Sequence, residues 1–143
     1  MKKAVTQAVI DWEAAMAAAS GAARWAEEAG IRVNVAVVDA GGNLAAFVRM
    51  PGAFLHSIDI AIDKAYTAAG FGLPTSAWTE ALAAHSGAVR EGIPLRPRMV
   101  CFGGGLPLRH EGQVIGGIGV SGGSEHEDET CARAGLHAVD LEI

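Results

Sequence analysis

The hydrophobic positions change period several times along the chain, and each change marks an element. From about Ala4 to Ala29, Trp12, Ala15, Met16, Ala19, Ala23 and Ala26 recur at three- and four-residue spacing. That spacing predicts an alanine-rich helix, with Gly30 as its C-terminal stop. Val33 to Val38 is short and β-branched, Asp39-Ala40-Gly41-Gly42-Asn43 is turn-forming, and Leu44 to Met50 is apolar again. These predict a two-stranded hairpin. With Asp39 opposite Leu44, Arg49 falls opposite Asn34, and both share a face with Val38 and Phe47. Pro51-Gly52 ends the second strand.

A helix is expected from an N-cap at Ser57 to about Ala69, burying Ile58, Ile62, Ala65 and Ala69. Thr75 or Ser76 caps a shorter helix containing Trp78, Ala81 and Leu82. Arg90 to Arg98, with two prolines, reads as a loop. Met99–Phe102 reads as a short strand, Leu106–Arg109 as another, His110–Gln113 as a turn and Val114–Val120 as the last strand. Ser124 with Glu127 forms a capping box for a terminal helix. The order α, ββ, α, α, βββ, α predicts one α+β domain over residues 1–143, with five antiparallel strands flanked by helices.

Composition narrows the function classes. Half of the 143 residues are hydrophobic and 19% are charged, with a net charge of −5. A low charged fraction on a small protein points to covered surface, hence a homo-oligomer. No basic patch has the density that a phosphate backbone requires, so no nucleic-acid partner is expected. Charges break up the N-terminal stretch, so neither a signal peptide nor a membrane span is read there, and a cytoplasmic location is expected. Cys101 and Cys131 show no CxxC spacing and read as reduced, buried thiols.

Four features carry candidate chemistry. Gly116 to Gly123 is dense in glycine, which inside a strand needs a reason: close approach of a ligand, or close packing of a helix. In Ser121-Gly122-Gly123, N–H groups at a helix start could hold an anion. The acidic Glu125, Glu127, Asp128 and Glu129 that follow argue against phosphate and leave a carboxylate. Gly103-Gly104-Gly105 could likewise expose backbone donors. Lys64 follows an apolar stretch; it reads as a surface lysine paired with Asp59 or Asp63, or as a buried base. His56, between Leu55 and Ser57, could ligate haem iron or act as an acid–base group. No histidine pair has i, i+4 spacing, so no metal site is assigned; His126 with Asp128 or Glu129 could bind a divalent metal, but exposed polar residues on a capped helix explain them more simply.

Four motifs in one order carry a resemblance: Val38-Asp39-Ala40-Gly41-Gly42-Asn43-Leu44; Ser57 to Ala61 with Lys64-Ala65-Tyr66-Thr67-Ala68; Gly103-Gly104-Gly105-Leu106-Pro107-Leu108; and Gly116 to Gly123 with Asp128. Together they resemble the GlcG/HbpS family, also seen as the C-terminal domain of PduO proteins. The resemblance implies a profilin-like layered fold with a five-stranded sheet and assembly into oligomers. It implies haem, or another tetrapyrrole, as a cofactor for some members, and links to cobalamin or small organic acid metabolism for others. Lys64, Asp128 and the Gly-Val-Ser-Gly-Gly loop fall on the family pattern.

Two functional expectations follow. One is a haem-binding protein, with His56, Gly104, Gly105, Ser121, Gly122 and Gly123 forming the cofactor site. The other is an isomerase, lyase or hydrolase acting on a small carboxylated metabolite, with Arg49 and the glycine-loop N–H groups holding the carboxylate and Lys64 or His56 moving a proton.

Overall fold

The computed structural model describes residues 1–142. Helix α1 spans Trp12–Glu28, strands β1 and β2 span Asn34–Asp39 and Leu44–Arg49, and helix α2 spans Ser57–Phe71. Short helices α3 (Trp78–Ala83) and α4 (Gly87–Gly92) follow, then β3 (Gly105–His110), β4 (Gln113–Ser121) and α5 (Glu125–His137). The strands form one antiparallel sheet in the order β2-β1-β4-β3. Helices α1 and α5 pack on one face around Val33, Val35, Val37, Ile118 and Val120. On the other face α2 lies against Ala36 and Val38. This is an α+β layer fold.

The sheet has four strands, not five. Met99–Phe102 runs as an irregular segment beside α2. The Val100 N–H donates to Thr67 Oγ1 at 3.1 Å, and the Gly103 N–H donates to Glu125 Oε1 at 3.0 Å. The Val100 donor that a fifth strand would have used thus goes to a side chain, and the Met99 N–H goes to the Arg96 carbonyl. Pro107, which has no N–H, lies in β3 at the sheet edge.

The first hairpin has the register expected from sequence over its outer half, with Asn34 opposite Arg49, and a bulge between Val37 and Val38 shifts the remainder. The second hairpin turns through Glu111 and Gly112, both at positive φ, as a tight primed turn requires.

Helix α1 begins at Trp12 rather than near Ala4. The Asp11 carboxylate accepts from the Glu13 N–H at 3.0 Å and caps the helix there, while the Ile10 N–H bonds to Ile115 O in the sheet. Its buried stripe is Ala15, Ala18, Ala19, Ala22 and Ala26; Trp12 and Met16 are more than half exposed. The reason is the close seam with α5, where a Cβ at Gly135 would lie 2.7 Å from Ala18 O. Only small residues fit that seam.

Helix α2 includes Ser57, expected as its cap; His56 occupies the cap position instead and makes no side-chain cap bond. Its buried stripe is again the small one, Ala61, Ala65, Ala68 and Ala69, while Ile58 and Ile62 sit at its flanks. Thr75 and Ser76 lie in a short 3-10 turn, and Ala77 stands at the cap of α3. The segment read as a loop from Arg90 onward contains the end of α4 and a short 3-10 turn, Ile93–Leu95. The capping box at Ser124 and Glu127 forms with both hydrogen bonds in place.

Cys131 is buried and its thiol donates to Ala22 O at 2.9 Å, whereas Cys101 is half-buried; both are free thiols. Burial, with a smaller push from Asp128, drives the Cys131 thiol up to about 12. The folded state therefore keeps a proton that the unfolded chain releases above pH 9.0, so this group's contribution to stability is complete below pH 9 and declines toward pH 12. The expected slope is about 1.4 kcal/mol per pH unit. Urea midpoints at pH 8 and pH 10.5 should fall more steeply for the wild type than for Cys131→Ala. Parallel declines would contradict this account.

Candidate functional site

The glycines in β4 are explained by packing. A Cβ at Gly119 would run into Ala61 O and approach Ala65 N, and one at Gly117 would run into Ala65 O. Helix α2 therefore rests directly on the strand backbone. That close approach brings Lys64 down to the end of β4.

Lys64 is 1% exposed and Asp128, in the first turn of α5, is 3% exposed. The Lys64 ammonium donates to Asp128 Oδ2 at 3.0 Å and to Val120 O at 2.8 Å. The Gly123 N–H donates to Asp128 Oδ1 at 2.8 Å. Phe102 covers the ammonium, with its ring centroid 5.1 Å away. Gly104 has φ +126°, and a Cβ there would lie 2.6 Å from Lys64 Nζ. The glycine loops thus form a close-fitting collar around one buried ion pair.

Burial is the largest influence on both partners. It pulls Lys64 below the ordinary lysine value, against the charge and hydrogen bond of Asp128 and the charge of Glu125. It pushes Asp128 above the ordinary aspartate value, against the charge and hydrogen bond of Lys64 and the N–H groups of Gly123 and Gly122. Charge burial is therefore costly wherever both groups are ionised, and the match between them is what makes it tolerable.

The partner of Lys64 is not Asp59 or Asp63. Asp63 is adjacent in sequence and points around the helix, where it binds Arg98 Nε at 3.0 Å. Asp128 was visible in sequence as a first-turn acid, but nothing in the local spacing tied it to Lys64.

Of the expected site residues, Lys64, Gly104, Gly105, Ser121, Gly122 and Gly123 meet in this one place. Several of the loop donors have partners within the chain. The Gly105 N–H donates to Thr75 Oγ1 at 2.8 Å, and the carboxylate resting on Gly123 is that of Asp128. His56 stands apart, eight residues before Lys64 and roughly 12 Å away along the α2 axis. It is exposed, beside Phe54 (68% exposed) and Leu55 (72%). Arg49 lies on β2, two strands from β4, where its Nη2 donates to Ala53 O at 3.0 Å. Asn34, next to Ser121 in the sheet, is buried with Nδ2 donating to Phe54 O and with Oδ1 unpaired. Among the described residues no group of three or more His, Cys, Asp and Glu side chains is placed to hold a metal ion, and no helix is long and apolar enough to cross a membrane.

A four-stranded antiparallel sheet between α2 and the α1–α5 pair, with a lysine–aspartate pair collared by two glycine loops, defines a class of small α+β layer proteins. The chain belongs to the HbpS-like family: the family model described as "Haem degrading protein HbpS-like" matches residues 10–137. It is 41% identical over 127 residues to an uncharacterized 15.0 kDa protein of the dhaT-dhaS intergenic region of Citrobacter freundii, covering 85% of this chain and 88% of that one. It is 36% identical over 118 residues to the corrinoid adenosyltransferase PduO of the same organism. That match covers 81% of this chain but only 35% of PduO, so the chain spans about a third of that relative's length. A crystal structure of a PduOC:haem complex superposes with a TM-score of 0.84 at 29% identity, covering 94% of this chain and 97% of the other.

Proposed function

We propose that this chain binds haem and that His56 supplies an iron ligand. The observation that carries the reading is the setting of His56. Its imidazole is exposed at the start of α2, makes no capping bond, and is flanked by the exposed apolar side chains of Phe54 and Leu55. An iron ligand needs an accessible nitrogen, and a porphyrin face needs apolar cover. The haem carried by the PduOC relative, at 29% identity and nearly full coverage, supports the same ligand class. Bound haem would supply an iron centre; the chain's own part is to offer the imidazole and the apolar platform around it.

Lys64 fits a positioning part better than a proton-transfer part, since its ammonium is enclosed and bonded on two sides. Holding α5 against α2, it keeps the layer rigid beneath the His56 end of the helix.

Titration with haem is expected to give a Soret band shifted from that of free haem and saturating at one haem per site. His56→Ala should weaken binding about tenfold or more, or about 1.4 kcal/mol. An identical Soret titration in His56→Ala would remove His56 from the site, and no shift in the wild type would remove haem.

A further inference from the structure

A cavity opens beside the C-terminal half of α2, away from His56. It encloses about 380 Å³ between α2, the β1–β2 turn and the strap of residues 93–99. That volume lies within the ordinary range for small-molecule sites. Phe71, Ile93, Met99 and Ala40 supply apolar lining, while Tyr66, Arg96 and Arg98 supply polar groups. No acidic side chain lines it, on a chain whose net charge is −5.

We propose that this cavity binds a small monocarboxylate with an aromatic or aliphatic body. Three observations carry the assignment. The first is Arg98. Its guanidinium stacks 3.6 Å over the Tyr66 ring, and its Nε is held by Asp63 at 3.0 Å. Among the described residues its Nη groups meet no acceptor, and they form the fork that a carboxylate matches. Arg96 lies on the same wall, with no side-chain partner among the described residues.

The second is strain. Arg98 has φ +64°, a left-handed conformation that is costly for a residue with a Cβ. It is held there by Thr67, whose Oγ1 donates to Arg98 O at 2.9 Å and accepts from the Val100 N–H at 3.1 Å, together with Asp63 and Tyr66. The strap is thus fixed in a shape that presents its arginines to the cavity.

The third is Gly70. It lies inside α2, where glycine costs about 1 kcal/mol relative to alanine. The β4 glycines are needed for packing, but a Cβ at Gly70 would meet nothing within 4 Å. The space it leaves is the cavity. The nearby acid, Asp39, does not compete for the arginines, because its carboxylate is taken by the Gly41 and Asn43 N–H groups at 2.9 and 3.0 Å.

The site is independent of the haem reading: Gly70 lies fourteen residues beyond His56, roughly 20 Å along the helix. Benzoate is the probe, with benzyl alcohol as its uncharged counterpart and inorganic phosphate as the anion without an apolar body. Amide NMR is expected to show saturable shifts with benzoate at Gly41, Gly42, Gly70 and Met99, and binding about tenfold weaker or less for the other two probes. Arg96→Gln should weaken benzoate about tenfold, or about 1.4 kcal/mol. Gly70→Leu should fill the cavity and abolish the shifts, while Gly70→Ala should fold at least as stably as the wild type and keep measurable binding. His56→Ala should leave the benzoate shifts unchanged. The proposal is overturned if benzoate at about 10 mM, a weak-binding limit, moves none of these amides. It is also overturned if folded Gly70→Leu binds as the wild type does, or if benzyl alcohol or phosphate binds as tightly.

Discussion

Asp128→Asn is expected to destabilise the fold by about 3–5 kcal/mol, because it leaves the Lys64 ammonium buried without a counter-charge. The substitution keeps an acceptor for the Gly123 N–H, so the loss reports on charge rather than on the loop. Adding Lys64→Met should recover most of it, since the double variant buries neither charge. The pKa directions set how the pair's contribution varies with pH. Lys64 lies below its ordinary value and Asp128 above its own, so each ion is held against the pull of burial. Between pH 3.8 and the raised Asp128 value the folded state holds a proton that the unfolded chain releases, so this carboxyl's contribution falls as pH rises through that window. Between the lowered Lys64 value and pH 10.5 the unfolded chain holds the extra proton, so that contribution rises with pH. Urea denaturation of both singles and the double gives the coupling directly. Additive losses in the double variant would show that the two charges do not depend on each other.

Gly119→Ala is expected to cost about 3 kcal/mol, the upper end of the usual overpacking range. The added methyl has no empty space and no flexible side-chain end to displace, since it faces the backbone of α2 at Ala61 and Ala65. The helix would have to lift from the sheet, and Lys64 would lift with it. Gly92→Ala is the control: its Cβ meets nothing within 4 Å at a helical position, so it should be neutral or stabilising by up to about 1 kcal/mol. Equal urea midpoints for the two variants would refute the account of helix and strand in direct contact. Gly119→Ala should also reduce the penalty of a further Asp128→Asn change, because a displaced Lys64 would already be partly solvated.

The two predictions describe one arrangement. Alanines on α2 and glycines on β4 let the helix sit close to the sheet. The close fit places Lys64 at the mouth of the glycine loops, and Asp128 of α5 reaches it from the other layer. The pair therefore ties α5, β4 and α2 together at the end of the sheet from which His56 and its apolar neighbours project.

Local chemistry was enough to read most elements. The Ser124–Glu127 capping box, the hairpin turn at His110–Gln113 and the Asn34–Arg49 register depend on residues close in sequence or on strict alternation, and all three are present. The four ordered motifs also pointed to the HbpS-like family that the whole-chain match shows. Local chemistry failed where a side chain from elsewhere intervened. Met99–Phe102 is apolar enough for a strand, but Thr67 takes the Val100 N–H, the Arg96 carbonyl takes that of Met99, and Glu125 takes that of the adjoining Gly103. Asp11 caps the start of α1 seven residues after Ala4, because Ile10 is already bonded to the sheet.

The sequence by itself determined the layered α+β class, the hairpins, the Ser124 capping box and the glycine-rich β4. These follow from periodicity and turn chemistry, which act over a few residues. Only the tertiary structure decided what the glycines are for, which acid Lys64 meets, and that His56 stands apart from both. Those outcomes depend on contacts between residues up to 64 positions apart, such as Lys64 with Asp128. A helix spacing of three or four residues cannot encode such a contact; the depth at which α2 rests on the sheet does.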